Sequence, residues 1–240
     1  MHLIWNELRT ALPMILHGNP YLMRIIVFTV EVAVVATAIA SAIGLPIGVA
    51  IGTGRFRGRR IAHALANTSL AIPPVLVGVF LFELFVPQAP LGSLHLIWTR
   101  RVVFIAQTVL ALPYVVALTA AAVQGLPPGL MTQARSLGAG RRQLYALALR
   151  EARIGVVAAI IAALGTTLSE VAAVAILGGN IYGYDQTLSS ATLYEVSGGY
   201  YADAVAIGIV LIALILILMG TLALLQHRGD GIRLRFRLPA

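Results

Sequence analysis

Cysteine is absent from this 240-residue chain, and so is lysine: all seventeen basic residues are arginine. Without cysteine there can be no disulfide, iron–sulfur cluster or thiolate chemistry. Without lysine the phosphate loop G-x-x-x-x-G-K-[ST] cannot be completed, so the chain is not itself a P-loop ATPase. Charge of either sign is scarce. Charged residues make up 11% of the chain and hydrophobic residues 59%, with mean hydropathy +0.91. Soluble domains carry about 25% charged and about 45–50% apolar residues. The excess is too large for a soluble core, so the chain is integral to a membrane, where one domain means one helical bundle. The histidines (His2, His17, His63, His95 and His227) all fall outside the apolar runs and form no H-E-x-x-H pattern, which leaves no metal site. Ser41 and Ser69 lack a histidine at membrane depth to activate them, which argues against an intramembrane hydrolase.

What is present is a series of long apolar runs. A span needs about 20 such residues, and five are found, roughly at 25–51, 68–86, 102–123, 154–177 and 202–226. The first carries Gly44, Pro46 and Gly48, the second Pro73-Pro74 and the third Pro113, so three spans are expected to bend. The freed backbone groups must face protein or a wet cavity. Bent helices suit a pathway, and they also occur as plain packing kinks. Residues 1–24 read as an interfacial amphipathic segment anchored by Trp5, and 227–240 as a basic tail. No cleavable signal peptide is apparent.

Arginine distribution sets the orientation. Thirteen arginines lie in loop 54–67, in the long loop 124–153 and in the tail; four (Arg9, Arg24, Arg100 and Arg101) lie on the other side. The positive-inside rule places the thirteen in the cytoplasm, with the N-terminus outside and the C-terminus inside. Scattered over three loops without interleaved aromatics, they do not form a nucleic-acid surface.

The long loop reads QGLPPGLMTQARSLGAGRRQLYALALREAR over 124–153. Pro127-Pro128 precede a helix expected near Gly129–Leu137, Gly138 suits its left-handed cap, and a second helix should start about Arg141. Within it, TQARSLGAGRRQ resembles the cytoplasmic "EAA" signature of importer-type ABC permeases. Gly138 matches the signature glycine and Ala134 its second alanine, while Thr132 and Gln133 stand where Glu and Ala are usual. NTSLAIPPVLVGVFLFELF, IAQTVLALPYVVALT and LSEVAAVAILGGNIYGYDQTLSSATLYEVSGG further resemble the tungstate branch of the molybdate/tungstate-type permeases, across residues 67–199.

The resemblance implies an all-α polytopic membrane protein of about five transmembrane helices with the type I ABC importer permease fold, residues 25–226 forming its domain. It implies two copies of this chain, two copies of a cytoplasmic ABC ATPase that carries the ATP and Mg, and an extracytoplasmic oxyanion-binding protein, all in a prokaryotic plasma membrane. The chain itself would bind no cofactor and catalyse nothing. Met131, Thr132, Gln133, Ala134, Arg135, Leu137, Gly138 and Arg141 would couple it to the ATPase.

Candidate pathway residues are Pro73, Pro74, Thr166, Ser169, Glu170 and Asn180. Glu170 lies inside a span, where a carboxylate is costly unless paired or hydrated. It reads as a polar gate or as a structural hydrogen bond to a neighbouring helix. Thr166, Thr167 and Ser169 offer hydroxyls to an oxyanion or pack helices. Gly178-Gly179-Asn180 presents backbone N–H groups to an anion or simply caps the span. Loop 181–200, with Tyr182, Tyr184, Tyr194 and Tyr200, suits a soluble partner or the membrane interface. An ion-coupled transporter or channel acting without an ATPase is the alternative. It is disfavoured by a single deep charge and no obvious inverted repeat.

Overall fold

The computed structural model describes residues 19–54 and 56–228. The expected Trp5 segment and most of the basic tail lie outside these residues. The described chain is all-helical. In order, the helices are α1 (Pro20–Thr53), α2 (Arg59–Ser69), α3 (Pro74–Phe85), α4 (Arg100–Gln124), α5 (Leu130–Ser136), α6 (Arg141–Glu151), α7 (Arg153–Ser169), α8 (Ala172–Gly178), α9 (Leu188–Ser197) and α10 (Tyr201–Arg228). A single 3-10 turn, Gly92–Leu94, lies between α3 and α4. Three helices, α1, α4 and α10, are long and apolar enough to cross a membrane singly. The pairs α2–α3 and α7–α8 pass the same test only as bent units.

The central contact is α1 on α4. Val32 packs with Val103, Ala40 with Ala111, and Gly44 faces Val115. The numbers rise together, so the two helices run parallel. The contact is close because α1 presents Ala36, Ala40, Gly44, Gly48 and Gly52 at every fourth position. A Cβ on Gly48 would meet Thr119 Cβ at 2.7 Å and the Val116 carbonyl at 2.8 Å, and one on Gly52 would meet Val123 Cβ at 2.8 Å. In lipid there is no hydrophobic drive to pair helices, so small residues that let backbones approach do this work. The bend expected from Pro46 does not interrupt α1, which runs unbroken from Pro20 to Thr53.

Two expected spans are corrected. The run 68–86 is not one helix. Pro73 is extended (φ −62°, ψ 128°) and Pro74 opens α3, so the proline pair starts a helix instead of bending one. α2 meets α3 at 101°. The twelve residues of α3 reach about 18 Å, short of a hydrocarbon core of about 30 Å. The run 154–177 breaks at Glu170, with α7 and α8 at 57°. The polar groups released by that break find partners. Glu170 Oε1 accepts from the Ala173 N–H at 2.9 Å, and the Ser189 hydroxyl donates to the Leu168 carbonyl at 2.5 Å. A break at membrane depth is tolerated when protein re-satisfies the backbone in this way.

The 181–200 segment is likewise more than a surface loop. Residues Asp185 to Ala191 are buried, and α9 packs on α10 and α1. The Leu188 N–H donates to Thr29 Oγ1 at 2.8 Å, which ties α9 into the bundle. Leu22, Ile25, Leu188, Ala191 and Ile207 form the shared core.

Candidate functional site

Two regions stand apart from simple packing. The first is α5 with α6. α5 buries none of its residues, although a stable surface helix ordinarily buries one stripe. Its end is shaped by Gly138 (φ +84°), a left-handed conformation that other residues adopt only with strain. The Ala139 N–H reaches back to the Ala134 carbonyl at 3.0 Å, closing a Schellman cap. The Gly140 N–H then donates to Gln143 Oε1 at 2.8 Å, starting α6. Leu137, at the junction, is 89% exposed. Thr132, Gln133, Arg135, Gly138 and Arg141 are exposed as well, and Ala134 is half-buried. Met131, expected to face the cytosol, instead packs against the cluster of Val49, Val123, Ala148, Ala152 and Val156. Its apolar side chain anchors the short helix, leaving the other residues on display.

The second region is a cavity of about 290 Å³ beside the break between α2 and α3. Pro73, Pro74, Val109, Pro113, Tyr114 and Thr166 line it. Pro113 lacks the N–H that would bond the Val109 carbonyl, so a backbone acceptor is freed where the two residues meet the cavity. The structure therefore gathers Pro73, Pro74 and Thr166 and adds Pro113. Ser169, Glu170 and Asn180 do not line this cavity. The Ser169 hydroxyl is turned back to Gly165 (3.0 Å) and the Thr166 hydroxyl to Ala162 (3.1 Å). Glu170 caps α8. Asn180, itself left-handed (φ 53°), donates through Nδ2 to the Ser190 carbonyl at 3.2 Å. Asn180 thus belongs to a turn after α8 that Gly179 (φ +95°) makes possible.

One residue not singled out in the sequence emerges here. Gln107, in α4, is fully buried, and neither of its amide atoms has a partner among the described residues. It lies one helical turn from Leu110, on the cavity wall. An uncharged amide within an otherwise apolar run is the signal that marks it.

The end of the bundle opposite α5 is held by charge and aromatic contacts. Arg24 donates to the Gly183 carbonyl and Arg100 to the Tyr184 carbonyl. Arg100 also lies 4.8 Å from the Phe28 ring centre, a cation–π distance. The rings of Tyr21 and Tyr182 stack at 4.3 Å. Burial pushes the Asp185 carboxyl upward, against backbone N–H donors, led by Ile181, that lower it. Burial likewise raises Glu195; the neighbouring Asp203 adds to the rise and the Tyr21 hydroxyl opposes it.

The fold and these two regions define a polytopic transport protein with a displayed helix–glycine–helix element at one end. Residues 44–229 match the family of binding-protein-dependent transport system inner membrane components, and the chain belongs to that family. It is 35% identical over 224 residues to a Haloferax volcanii protein named "Probable anion ABC transporter permease protein", covering 91% of this chain and 93% of that one. The tungstate uptake system permease protein TupB of Peptoclostridium acidaminophilum is 29% identical, with 88% and 93% covered. The sulfate transport system permease protein CysT of Escherichia coli K12 is 27% identical, with 72% and 65% covered. In fold the chain is similar to a chain of the MetNI methionine ABC transporter in an inward facing conformation. The TM-score is 0.65 at 21% identity, with 88% of this chain and 96% of that one covered.

Proposed function

We propose that this chain is the transmembrane permease subunit of an ATP-driven importer for an inorganic oxyanion, tungstate or molybdate. The observation that carries the reading is the α5–α6 element, with no buried residue in α5 and Leu137 exposed at its tip. Beyond Met131 and Ala148, which seat it on the bundle, the side chains of this element cost conformational freedom and return no burial unless a partner covers them. Relatives named for anion, tungstate and sulfate transport support the cargo class. In this reading two cytoplasmic ATPase subunits bind ATP and Mg, which a chain without lysine has no P-loop to hold. Met131 fastens the coupling helix to the bundle, while Thr132, Gln133, Ala134, Arg135, Leu137, Gly138 and Arg141 meet the ATPase. Closure of the ATPase pair then shifts the bundle between two rigid-body arrangements. An extracytoplasmic binding protein delivers the anion at the end carrying Tyr182, Tyr184, Tyr194 and Tyr200. The N-terminus lies outside and the C-terminus in the cytoplasm, as the arginine bias indicates.

A second copy of the chain completes the channel. Glu31 is exposed on α1 about 16 Å from the start of a helix about 51 Å long. A carboxylate at that depth needs protein or water beside it.

The test is reconstitution with the ATPase and the binding protein. Leu137→Asp should leave the thermal midpoint unchanged and lower anion-stimulated ATP hydrolysis at least about tenfold, as expected for an interface anchor. Uptake by the chain in liposomes without any ATPase would overturn the proposal.

A further inference from the structure

At the end of the bundle that carries α5, two neighbouring cavities share Arg59 and Gln124. The larger, about 450 Å³, is also lined by Thr53, Thr132 and Arg135, and the other, about 410 Å³, by Arg60 and His63. Among the described residues, no aspartate or glutamate side chain lines either one. Their charged lining is therefore of one sign, which in a partly enclosed, low-dielectric setting concentrates anions.

Arg59 is held in place. Its Nε donates to the Ile51 carbonyl at 3.0 Å and its Nη2 to the Gly52 carbonyl at 2.8 Å, closing the C-terminal end of α1. A guanidinium has five N–H donors, so three remain for a ligand. Because two carbonyls already fix the side chain, a ligand does not have to immobilise it. The Arg135 side chain, on α5, makes no hydrogen bond or ion pair to other described residues, while its carbonyl accepts from the Gly138 N–H. The Nε2 of His63 is buried and also unpartnered among them. Thr132 and Gln124 add neutral donors. Arginine suits planar or tetrahedral oxyanions because it presents paired N–H groups. The space exceeds that of one small anion and several waters of about 30 Å³ each.

We infer that these joined cavities form a binding site for a free tetrahedral oxyanion dianion, bridging Arg59 at the end of α1 to Arg135 on the coupling helix. The inference deepens the permease reading, on which it rests in taking this end as cytoplasmic and the dianion as cargo. Cargo held there ties α5 to α1 and α2, so occupancy after release is felt at the element that meets the ATPase. The site is separate from the proline-lined cavity, with which it shares no lining residue.

The experiment measures equilibrium binding of sodium tungstate, and separately of sodium sulfate, to the full-length chain in nanodiscs of neutral phosphatidylcholine. Saturable binding of a dianion should weaken about tenfold or more in Arg135→Gln, and again in Arg60→Gln with His63→Gln, as expected when charge-assisted hydrogen bonds are lost. These side chains are solvent-facing or only half-buried, so thermal midpoints should hold. Arg59→Gln is avoided because Arg59 also closes α1. No saturable binding, or binding unchanged in all variants, overturns the site. So does displacement of tungstate by phosphatidylglycerol in the nanodiscs, which would assign the arginines to a lipid headgroup. ATP-driven uptake by the complete wild-type assembly tests the permease reading independently. Binding without uptake removes that reading and leaves the site; uptake without binding does the reverse.

Discussion

Glu170 illustrates how a single side chain resolves a cost that its own position creates. Its carboxylate lies where α7 stops, and it accepts from the Ala173 N–H that the break leaves without a helical partner. A residue lacking that acceptor leaves a donor stranded. Glu170→Leu should therefore lower stability by about 1–3 kcal/mol, and Glu170→Gln, which keeps a carbonyl oxygen, by much less. Denaturant unfolding in detergent checks this, and equal losses would remove the capping role. The two buried carboxyls Asp185 and Glu195 make a pH prediction. Burial raises both Asp185 and Glu195 above their ordinary values. The folded state then holds their protons more tightly than the unfolded state does. Their contribution is fully present below the unfolded pKa values and fades as pH rises through the folded ones. The thermal midpoint should rise from neutral pH toward mild acid, with a smaller rise in Glu195→Gln and Asp185→Asn.

Among the elements, the α1–α4 pair and the α5–α6 element behave differently. The pair depends on close backbone approach at Gly44, Gly48 and Gly52. Gly48→Val brings a side chain into Thr119 and the Val116 carbonyl, and both neighbours sit in the pair's core. It should cost about 1–3 kcal/mol through overpacking and abolish folding in a marginal background. Native yield and melting temperature measure it; an unperturbed variant would show that α1 and α4 do not pack as described. α5 and α6 were legible in the sequence because their signals are local: Pro127-Pro128, Gly138 and a polar run. The breaks at Pro73-Pro74 and Glu170 were only half legible. Proline announced a disturbance, but whether it bends a helix or begins one depends on the 101° turn between α2 and α3, with Ala66 of α2 packed against α4. At Glu170 no proline or glycine marks the break. It is held because Ser189, 21 residues from Leu168, donates to the Leu168 carbonyl that the break frees.

For the whole molecule, the isolated chain leaves the Glu31 face of α1 uncovered, alongside the exposed residues Val27, Val34 and Val35. In the proposed assembly that face meets a second copy. The chain has no native cysteine, so Val35→Cys provides a clean reporter. Mild oxidation in membranes should yield a cross-linked dimer, and purely monomeric product would assign this face to lipid. The proline-lined cavity follows from the same scale. Pro73, Pro74, Pro113 and Thr166 are far apart in the chain and meet only because α2–α3, α4 and α7 converge.

By composition and arginine placement alone, the sequence determined a multi-span helical membrane protein with a displayed polar element and no ATP-binding loop of its own. These are properties of residue type and local order, set by transfer energies and helix caps. The tertiary structure decided which spans are continuous, which hydroxyls turn back to their own helices, that Met131 anchors while Leu137 is offered, and that scattered arginines share a cavity. Those outcomes depend on partners distant in sequence, since a backbone group in lipid is satisfied by whatever packs beside it.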